Sequence, residues 1–281
     1  MMLKIKIVQR VVAGLTVLLG LLGNLVLRLH GHKQRLHPEK LQMLIRSKLD
    51  SSSEMVVVDD DDDERYGLSW RLAVETNNNA RPWKTVPLRC YKHVENYMTG
   101  GQYEHDLNMI VDEIVVYASE IPLATTQQYA WILDVDDTCI SNIPYYKAKR
   151  FGCDPFDSPV FKEWITKGMC PANPVILRLF KTLIERGFKV FLLTGRYEET
   201  LAKITMDNLH NQGFIGYQRL ILRSLKYKGQ SAVKYKSSIR KEIEEEGYRI
   251  WGNVGDQWTD LQGECLGNRT FKIPNPMYCI S

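Results

Sequence analysis

The larger part of the chain lacks an excess of positive charge. The 281 residues contain 37 Lys and Arg against 33 Asp and Glu, but residues 1–58 alone hold nine basic and three acidic side chains. The remaining residues are therefore slightly acidic, with 28 basic against 30 acidic side chains. A domain that binds nucleic acid typically presents a basic surface. The charge distribution thus gives no support for nucleic acid as a partner.

The composition also lacks the bias of a disordered or fibrous protein. Hydrophobic residues make up 44% of the chain, and a chain of this length can bury a full core. We therefore expect one large domain, or one domain with an appended piece.

The N-terminal segment lacks charge over a long stretch and lacks a clean small-x-small cleavage site. Residues 11–27 form a run of 17 uncharged residues after MMLKIKIVQR. This order is typical of an endoplasmic-reticulum signal, and 17 residues lie at the short limit of a membrane-spanning helix. We interpret residues 1–30 as a hydrophobic helix and signal anchor that holds the protein in a membrane of the secretory pathway through residues 11–27. The alternative is a cleaved signal peptide with a secreted or vacuolar product. Basic residues on both sides leave the orientation open.

The next polar stretch lacks the glycine turn and the spaced oxygen ligands of a calcium-binding loop. It ends in an acidic run at 59–64, and a block of like charges favours a solvated tether. We therefore expect a linker at 31–65 and a folded domain at 66–281.

The folded domain alternates between helical and strand patterns. Apolar residues recur at helical spacing in EHDLNMIVDEIVVYA, whereas the short apolar run YAWILDV is typical of a strand buried on both faces of a parallel sheet. Further strands are predicted in FKVFLL, RLILR and YRIWGNV, with helices in VILRLFKTLIER, EETLAKITMDNLHNQ and SSIRKEIEEE. The alternation predicts an α/β fold with a doubly wound parallel sheet.

The predicted strands end in polar side chains. ILDVDDT closes the first strand, FLLTGR the second and YRIWGNVGDQWTD a later one. Ligands of open parallel sheets bind beyond the carboxyl ends of the strands, so Asp134, Asp136, Thr194 and Asp256 are expected in one crevice. Carboxylates gathered there raise one another's pKa unless a cation joins them, and hard oxygen ligands favour Mg2+.

This residue set is suited to phosphoryl transfer. Asp134 can serve as metal ligand and nucleophile, because carboxylates form aspartyl-phosphate intermediates. Asp136 can protonate the leaving group and later activate water. A lysine and a hydroxyl at neighbouring strand ends would supply positive charge and hydrogen bonds to the phosphoryl group.

The motifs resemble those of a known superfamily. DVDDT at 134–138, TGR at 194–196, a lysine and GDQWTD at 255–260 resemble, in order and spacing, the four motifs of the haloacid dehalogenase (HAD) superfamily. SWRLAVETNN, WKTVP, GGQYEHD, DVDDTCISNIPYY, GDQWTDL and GNRTFKIPNPMYCI resemble the plant class B acid phosphatases and vegetative storage proteins. The resemblance covers about residues 66–281 and implies a HAD-like Rossmannoid fold.

The resemblance also implies a catalytic role for the carboxylates. Asp134 is the expected nucleophile, and Asp136 is the expected general acid and base, with its backbone carbonyl on Mg2+. Asp256 is expected to bind the metal, and Asp260 to bind or support it. Asp137 is interpreted as a loop or capping residue.

The expected phosphate-binding residues are Thr194, Gly195 and a lysine. Lys236 matches the lysine motif best and would neutralise the phosphoryl group and Asp134. Lys234, two residues earlier, is the alternative.

Residues 139–172 are too many for a simple loop, and Ser158-Pro159 marks a helix start. We expect a small helical cap over the crevice. Its aromatic residues are interpreted mainly as packing contacts, with a remainder that shapes substrate choice and excludes water.

The six cysteines are even in number, but their pairing cannot be deduced from the sequence. Relatives in the resembling families carry a cysteine where this chain has Gly67, and we interpret it as the partner of the residue equivalent to Cys90. Cys90 would then lack that partner here. Asn268-Arg-Thr270 is a glycosylation acceptor if the domain is lumenal. The oligomeric state, a homodimer included, is left open.

The function that these observations favour is Mg2+-dependent hydrolysis of small phosphomonoesters by a protein anchored in, or secreted through, the secretory pathway. The alternative is a storage protein with the same fold and little turnover. Some storage relatives lose the nucleophile, whereas this chain keeps Asp134, which favours the enzyme.

Overall fold

A computed structural model describes residues 60–280, apart from 77–79, 81–82 and 125–126. The expected N-terminal hydrophobic helix at 1–30 and most of the expected linker lie outside these residues. Within the described residues, every helix is too short or too polar to cross a bilayer.

Five parallel strands form one sheet in the described part of the chain. They are β1 (Gln128–Asp134), β2 (Lys189–Tyr197), β3 (Arg219–Arg223), β4 (Tyr248–Gly255) and β5 (Arg269–Lys272), in the spatial order β3-β2-β1-β4-β5. The first four confirm the predicted strands. β5 is only four residues long and was not predicted, because so short a segment shows no clear apolar run.

Helices cover both faces of this sheet. They are α1 (Asp60–Glu75), α2 (Tyr91–Thr99), α3 (Gln102–Glu120), α4 (Ile143–Ala148), α5 (Ser158–Thr166), α6 (Pro174–Glu185), α7 (Glu198–Asn211) and α8 (Ala232–Glu245).

Alternate residues of β1 divide the core into two layers. Trp131 and Leu133 pack in the cluster that also contains the apolar side chains of α3 and α6. Ala130 and Ile132 belong to a second cluster that contains those of α8. Because successive side chains of a strand point to opposite faces, β1 is buried from both sides, as the uninterrupted apolar run predicts.

The start of the described fold differs from the linker boundary expected at 65. α1 begins at Asp60, so part of the acidic run is helical. Arg89 donates to Asp62 at 2.7 Å and to Asp63 at 3.0 Å, which offsets the like-charge repulsion that favoured a solvated tether. Gly67 lies in the same helix, and a Cβ there would come within 2.5 Å of the His93 side chain.

The segment between β1 and α6 forms a small helical insertion. It contains α4, a 3-10 helix (Arg150–Gly152) and α5. Tyr145, Tyr146 and Phe151 from this insertion share a buried cluster with Val94 of α2 and with Met277. The insertion is therefore fastened to the N-terminal helices and to the C-terminal segment of the described domain.

Candidate active site

The polar side chains expected in one crevice meet at the carboxyl edge of the sheet. Asp134 is the last residue of β1, and Asp256 directly follows β4. Asp260 lies in a 3-10 helix (Trp258–Asp260) just beyond β4. A Cβ at Gly255 would lie 2.4 Å from the Asp260 carboxylate, so glycine there allows the turn to fold back onto the strand end.

Lys236 joins two of these carboxylates. Its Nζ lies 2.5 Å from Asp134 Oδ1 and 2.6 Å from Asp260 Oδ1, and all three side chains are buried. Burial alone would lower the pKa of Lys236, but the two carboxylates raise it above its ordinary value. Lys234, by contrast, is exposed on the outer side of α8. Of the two candidate lysines, the structure brings only Lys236 to the site.

Asp134, Asp256 and Asp260 form a compact carboxylate cluster. Each offers one oxygen atom, and the three atoms lie within 4.8 Å of one another. Burial and the neighbouring Asp260 raise the pKa of Asp256 to about 6. The pKa of Asp134 is raised well above its ordinary value, chiefly by burial, although Lys236 opposes the shift.

This cluster fits a divalent cation of the hard, oxygen-binding kind. Lys236 pairs with Asp134 and Asp260, and the third buried carboxylate, Asp256, lies close to both without an ion-pair partner among the described residues. Among the described residues, the one hydrogen bond to Asp256 Oδ1 is long, 3.3 Å from Thr138 Oγ1, so this oxygen retains capacity for a further partner. Carboxylate oxygens are the ligands that Mg2+ prefers. Asp134, Asp256 and Asp260 are the residues that would hold it.

Asp136 faces a different set of partners. Arg196 donates to both of its oxygens, from Nη2 to Oδ1 at 2.7 Å and from Nε to Oδ2 at 3.0 Å. Asn142 Nδ2 and Thr194 Oγ1 donate to it at 3.0 and 3.3 Å. Burial would raise the pKa of Asp136, but Arg196 and the other donors hold it below the ordinary value.

Two of the three residues expected to bind phosphate, Thr194 and Gly195, lie in β2, and Thr194 contacts Asp136. Thr194 is buried, and its hydroxyl accepts from the backbone N–H of Arg196 at 3.1 Å. Gly195 is exposed, and no atom lies within 4 Å of the position its Cβ would take. Gly195 therefore borders open space near the end of β2, where a substrate group can approach.

Arg196 and Asn142 are site residues that the sequence reasoning missed. Arg196 stands inside the quoted TGR motif, and its place directly after the predicted strand end was the available signal. Asn142 also donates to Asp137 Oδ2 at 3.2 Å and accepts from Trp164 Nε1 at 3.0 Å. It therefore ties the insertion to the loop after β1.

Asp137 shapes the turn after β1, as expected, and does so from a buried position. Its φ is +59°, and its carboxylate accepts from the backbone N–H of Asn142 at 2.7 Å. Tyr278 Oη donates to it at 2.8 Å. Burial and the charge of Asp256 raise the pKa of Asp137 to about 7.

The C-terminal segment of the described domain contacts the cluster directly. Asn275 Nδ2 donates to Asp256 Oδ2 at 2.7 Å, beside Gln257 Nε2 at 2.8 Å. The backbone N–H of Asn275 in turn donates to Glu75 Oε1 of α1 at 2.7 Å. This segment, IPNPMY, is part of the family resemblance in the sequence, but no site role was predicted for it.

Asn268, the expected glycosylation acceptor, is exposed and directly precedes β5. All six cysteines, which belong to the described residues, are free thiols in the structure.

Comparisons with known proteins point to one family. The family model described as HAD superfamily, subfamily IIIB (acid phosphatase), matches residues 52–281. Acid phosphatase 1 of Solanum lycopersicum is 45% identical over 212 residues, which span 75% of this chain and 82% of that protein. Vegetative storage protein 2 of Arabidopsis thaliana is 37% identical over 214 residues, which span 75% and 79%.

Among solved structures, the class C acid phosphatase from Bacillus anthracis resembles this fold with a TM-score of 0.56 at 19% identity. The match covers 67% of this chain and 84% of that one. At this identity the likeness shows the fold alone. The family match and the curated relatives establish that the chain belongs to subfamily IIIB of the HAD superfamily, the acid phosphatases.

Proposed function

We propose that the protein hydrolyses small phosphomonoesters through an aspartyl-phosphate intermediate and depends on Mg2+. The observation that carries the proposal is the position of Lys236 Nζ, which lies within 2.6 Å of both Asp134 and Asp260 at the carboxyl edge of the sheet. A buried nucleophile with a fixed cation beside it is suited to a dianionic phosphoryl group.

In the first step, a carboxylate oxygen of Asp134 attacks phosphorus and the ester oxygen of the substrate leaves. Thr194, the backbone of Gly195 and Lys236 bind the nonbridging oxygens and offset their charge. Asp134, Asp256, Asp260 and the backbone carbonyl of Asp136 would hold Mg2+, which would supply further electrostatic stabilisation of the phosphoryl group.

Asp136 handles the protons in both steps. Its carboxylic acid form protonates the leaving oxygen, and its carboxylate then takes a proton from the water that hydrolyses the phosphoaspartate. The ion pair with Arg196 favours the carboxylate, which suits the second step. Proton donation in the first step requires this ion pair to loosen, and the incoming phosphate is a competing partner for Arg196.

We assign the insertion at 139–172 as a cap that shields the crevice from water. We also propose a domain organisation with a signal anchor or signal peptide at 1–30, a linker after it and the phosphatase domain up to 281. This layout places the domain in the secretory pathway, where Asn268 is open to glycosylation. The naming of a similar Glycine max protein as the stem 31 kDa glycoprotein supports this modification.

The test is hydrolysis of a generic aryl phosphate by the full chain, with Mg2+ and with a chelator, beside Asp134→Asn. We expect turnover only for the wild type with Mg2+. Activity that is independent of Mg2+, or an Asp134→Asn variant as active as the wild type, would contradict the mechanism. Protease protection of a C-terminal tag in sealed vesicles decides the membrane topology.

A second candidate function is storage with little turnover. The 37% identity to vegetative storage protein 2 favours it, whereas the retained Asp134 beside Lys236 favours catalysis. An absence of turnover on a broad panel of phosphomonoesters, with Mg2+ and at several pH values, would favour storage.

A further inference from the structure

Arg240 is a buried cation to which the proposed mechanism gives no task. Its guanidinium donates to the backbone carbonyls of Asp260 (2.9 Å from Nη1), Gln262 (2.6 Å from Nη2) and Glu264 (3.0 Å from Nε), and to Ser237 Oγ (3.1 Å from Nη2). None of these four acceptors is a carboxylate. Burying a guanidinium costs free energy, which hydrogen bonds must offset. Here three of the four hydrogen bonds go to backbone carbonyls of one segment, which indicates that Arg240 holds that segment in place.

The carbonyls belong to the segment that carries a carboxylate of the proposed metal site. Asp260 accepts from Lys236 Nζ through its side chain at 2.6 Å and from Arg240 through its backbone at 2.9 Å. Lys236 and Arg240 lie four residues apart in α8, and residues at this spacing share one face of a helix. The same helix face therefore holds Asp260 by its carboxylate and by its main chain.

The segment 258–264 lies close against α8. Gly263 has a φ of +90°, and a Cβ there would lie 2.0 Å from Ser237 Oγ. The backbone N–H of Glu264 donates to the same hydroxyl at 3.1 Å. Asn253 Nδ2 of β4 adds a second donor to the Asp260 carbonyl, at 2.9 Å.

We propose that Arg240 is a positioning residue that holds the Asp260 carboxylate beside Asp134 and Asp256 by clamping the carbonyls of the 258–264 segment. It touches none of the reacting atoms. The planar fork of an arginine can serve several acceptors in fixed directions, which a lysine cannot do. The inference rests on the proposed function only where it treats Asp260 as part of the Mg2+ site.

The test compares three variants of the full chain. Arg240→Met removes the donors and keeps an apolar side chain of similar reach. Arg240→Lys keeps the charge but offers a single nitrogen. Lys241→Met is the matched control, because Lys241 is the neighbouring cation of α8 and its side chain is 59% exposed.

Two measurements separate positioning from general support of the fold. One is the Mg2+ concentration that gives half-maximal hydrolysis of an aryl phosphate, together with the substrate KM at saturating Mg2+. The other is amide hydrogen exchange across 257–264, β4 and α8 without metal, which does not depend on activity.

For Arg240→Met we expect the half-maximal Mg2+ concentration to rise about tenfold or more, the usual scale for losing a residue that supports a metal ligand. The KM should stay close to that of the wild type, and exchange should accelerate within 257–264 only. For Arg240→Lys, the half-maximal Mg2+ concentration and the exchange rates should lie between those of the wild type and Arg240→Met. Lys241→Met should match the wild type in both measurements.

The inference is overturned if Arg240→Met shows the amide exchange rates and the half-maximal Mg2+ concentration of the wild type. It is also overturned if exchange in this variant accelerates evenly over β4 and α8. If Arg240→Met does not fold, Arg240→Lys is held to the same criteria. Wild-type turnover without Mg2+ would contradict the proposed metal dependence, and the exchange measurement would then decide the role of Arg240 alone.

Discussion

Arg196 and Asp136 form a two-point ion pair, with Nη2 and Nε of the guanidinium each facing one carboxylate oxygen at 2.7 and 3.0 Å. The Arg196 side chain is 2% exposed and that of Asp136 is 22% exposed. The pair links the loop after β1 to the end of β2. The ion pair therefore fixes Asp136, the proposed general acid and base, relative to Thr194.

Replacing Arg196 with Met leaves the partly buried carboxylate of Asp136 without its main cation. We expect the free energy of unfolding to fall by roughly 3 kcal/mol, the scale for breaking one side of a buried ion pair. Urea denaturation of the full chain measures it. The exposed pair between Arg178 and Asp112 provides the control, and Arg178→Met should cost less than about 1 kcal/mol. If Arg196→Met and Arg178→Met lose equal free energies of unfolding, the pair of Arg196 and Asp136 contributes no more to stability than an exposed pair does.

Lys236 and Lys234 allow a matched comparison within one helix. Lys236→Met removes the cation shared by Asp134 and Asp260, so kcat/KM for an aryl phosphate should fall by about 100-fold or more, as when a key electrostatic donor is lost. Lys234→Met should retain nearly full activity, because that side chain is exposed. Steady-state kinetics at saturating Mg2+ test this pair. A Lys234→Met variant that is the more damaged of the two would reverse the assignment.

Mg2+ should stabilise the folded protein. A cation bound to the cluster of Asp134, Asp256 and Asp260 relieves the repulsion between buried carboxylates, and binding to the folded state alone adds about 2.7 kcal/mol at a concentration 100 times the Kd. Thermal unfolding with Mg2+ and with a chelator measures the shift in Tm. Asp256→Asn should reduce the shift, and Asp112→Asn, in an exposed pair, should not. An unchanged Tm in the wild type would argue against metal binding.

The stability of the N-terminal helices should depend on Asp106 and on pH. Burial would raise the pKa of Asp106, but hydrogen bonds from Tyr97, Gln102 and Arg71 hold it below the ordinary value. A lowered folded-state pKa means that the stabilisation is complete above the unfolded-state pKa of about 3.9 and is lost as the pH falls through the lower folded-state value.

Asp106→Asn should therefore lower the free energy of unfolding at pH 7 by about 1.5 kcal/mol, the lower end of the scale for hydrogen bonds to a charged group. The difference from the wild type should shrink below pH 4. Urea denaturation at both pH values tests this, with Asp207→Asn as an exposed control. A difference that grows on acidification would contradict the sign of the shift.

The sequence predicted the strand ends of the site because their chemistry is local. Asp134 and Asp256 follow apolar runs directly, and parallel strands bring their carboxyl ends to one edge. The helix that carries Lys236 was predicted from Ser237 onward, but α8 begins at Ala232, where Ser231 caps it by accepting from the backbone N–H of Lys234. That earlier start is what turns Lys236 inward and Lys234 outward.

Several of the residues that were missed act through contacts between separate parts of the chain. Arg196 meets Asp136, 60 residues before it, Asn275 meets Asp256, 19 residues before it, and Arg240 binds carbonyls 20 to 24 residues after it. Carbonyl acceptors carry no side-chain signal, so spacing in the sequence cannot reveal such partners.

The contact between Glu75 and Asn275 has a consequence for how the protein is made. Asp256, Asp260 and Asn275 are translated long after Asp134, and Asn275 docks on the end of α1, one of the first described elements to be synthesised. A growing chain can build most of its sheet while the proposed nucleophile still has no metal site beside it. A chain truncated before Asn275 would therefore lack the hydrogen bond that this residue donates to Asp256 and the contact that joins it to α1.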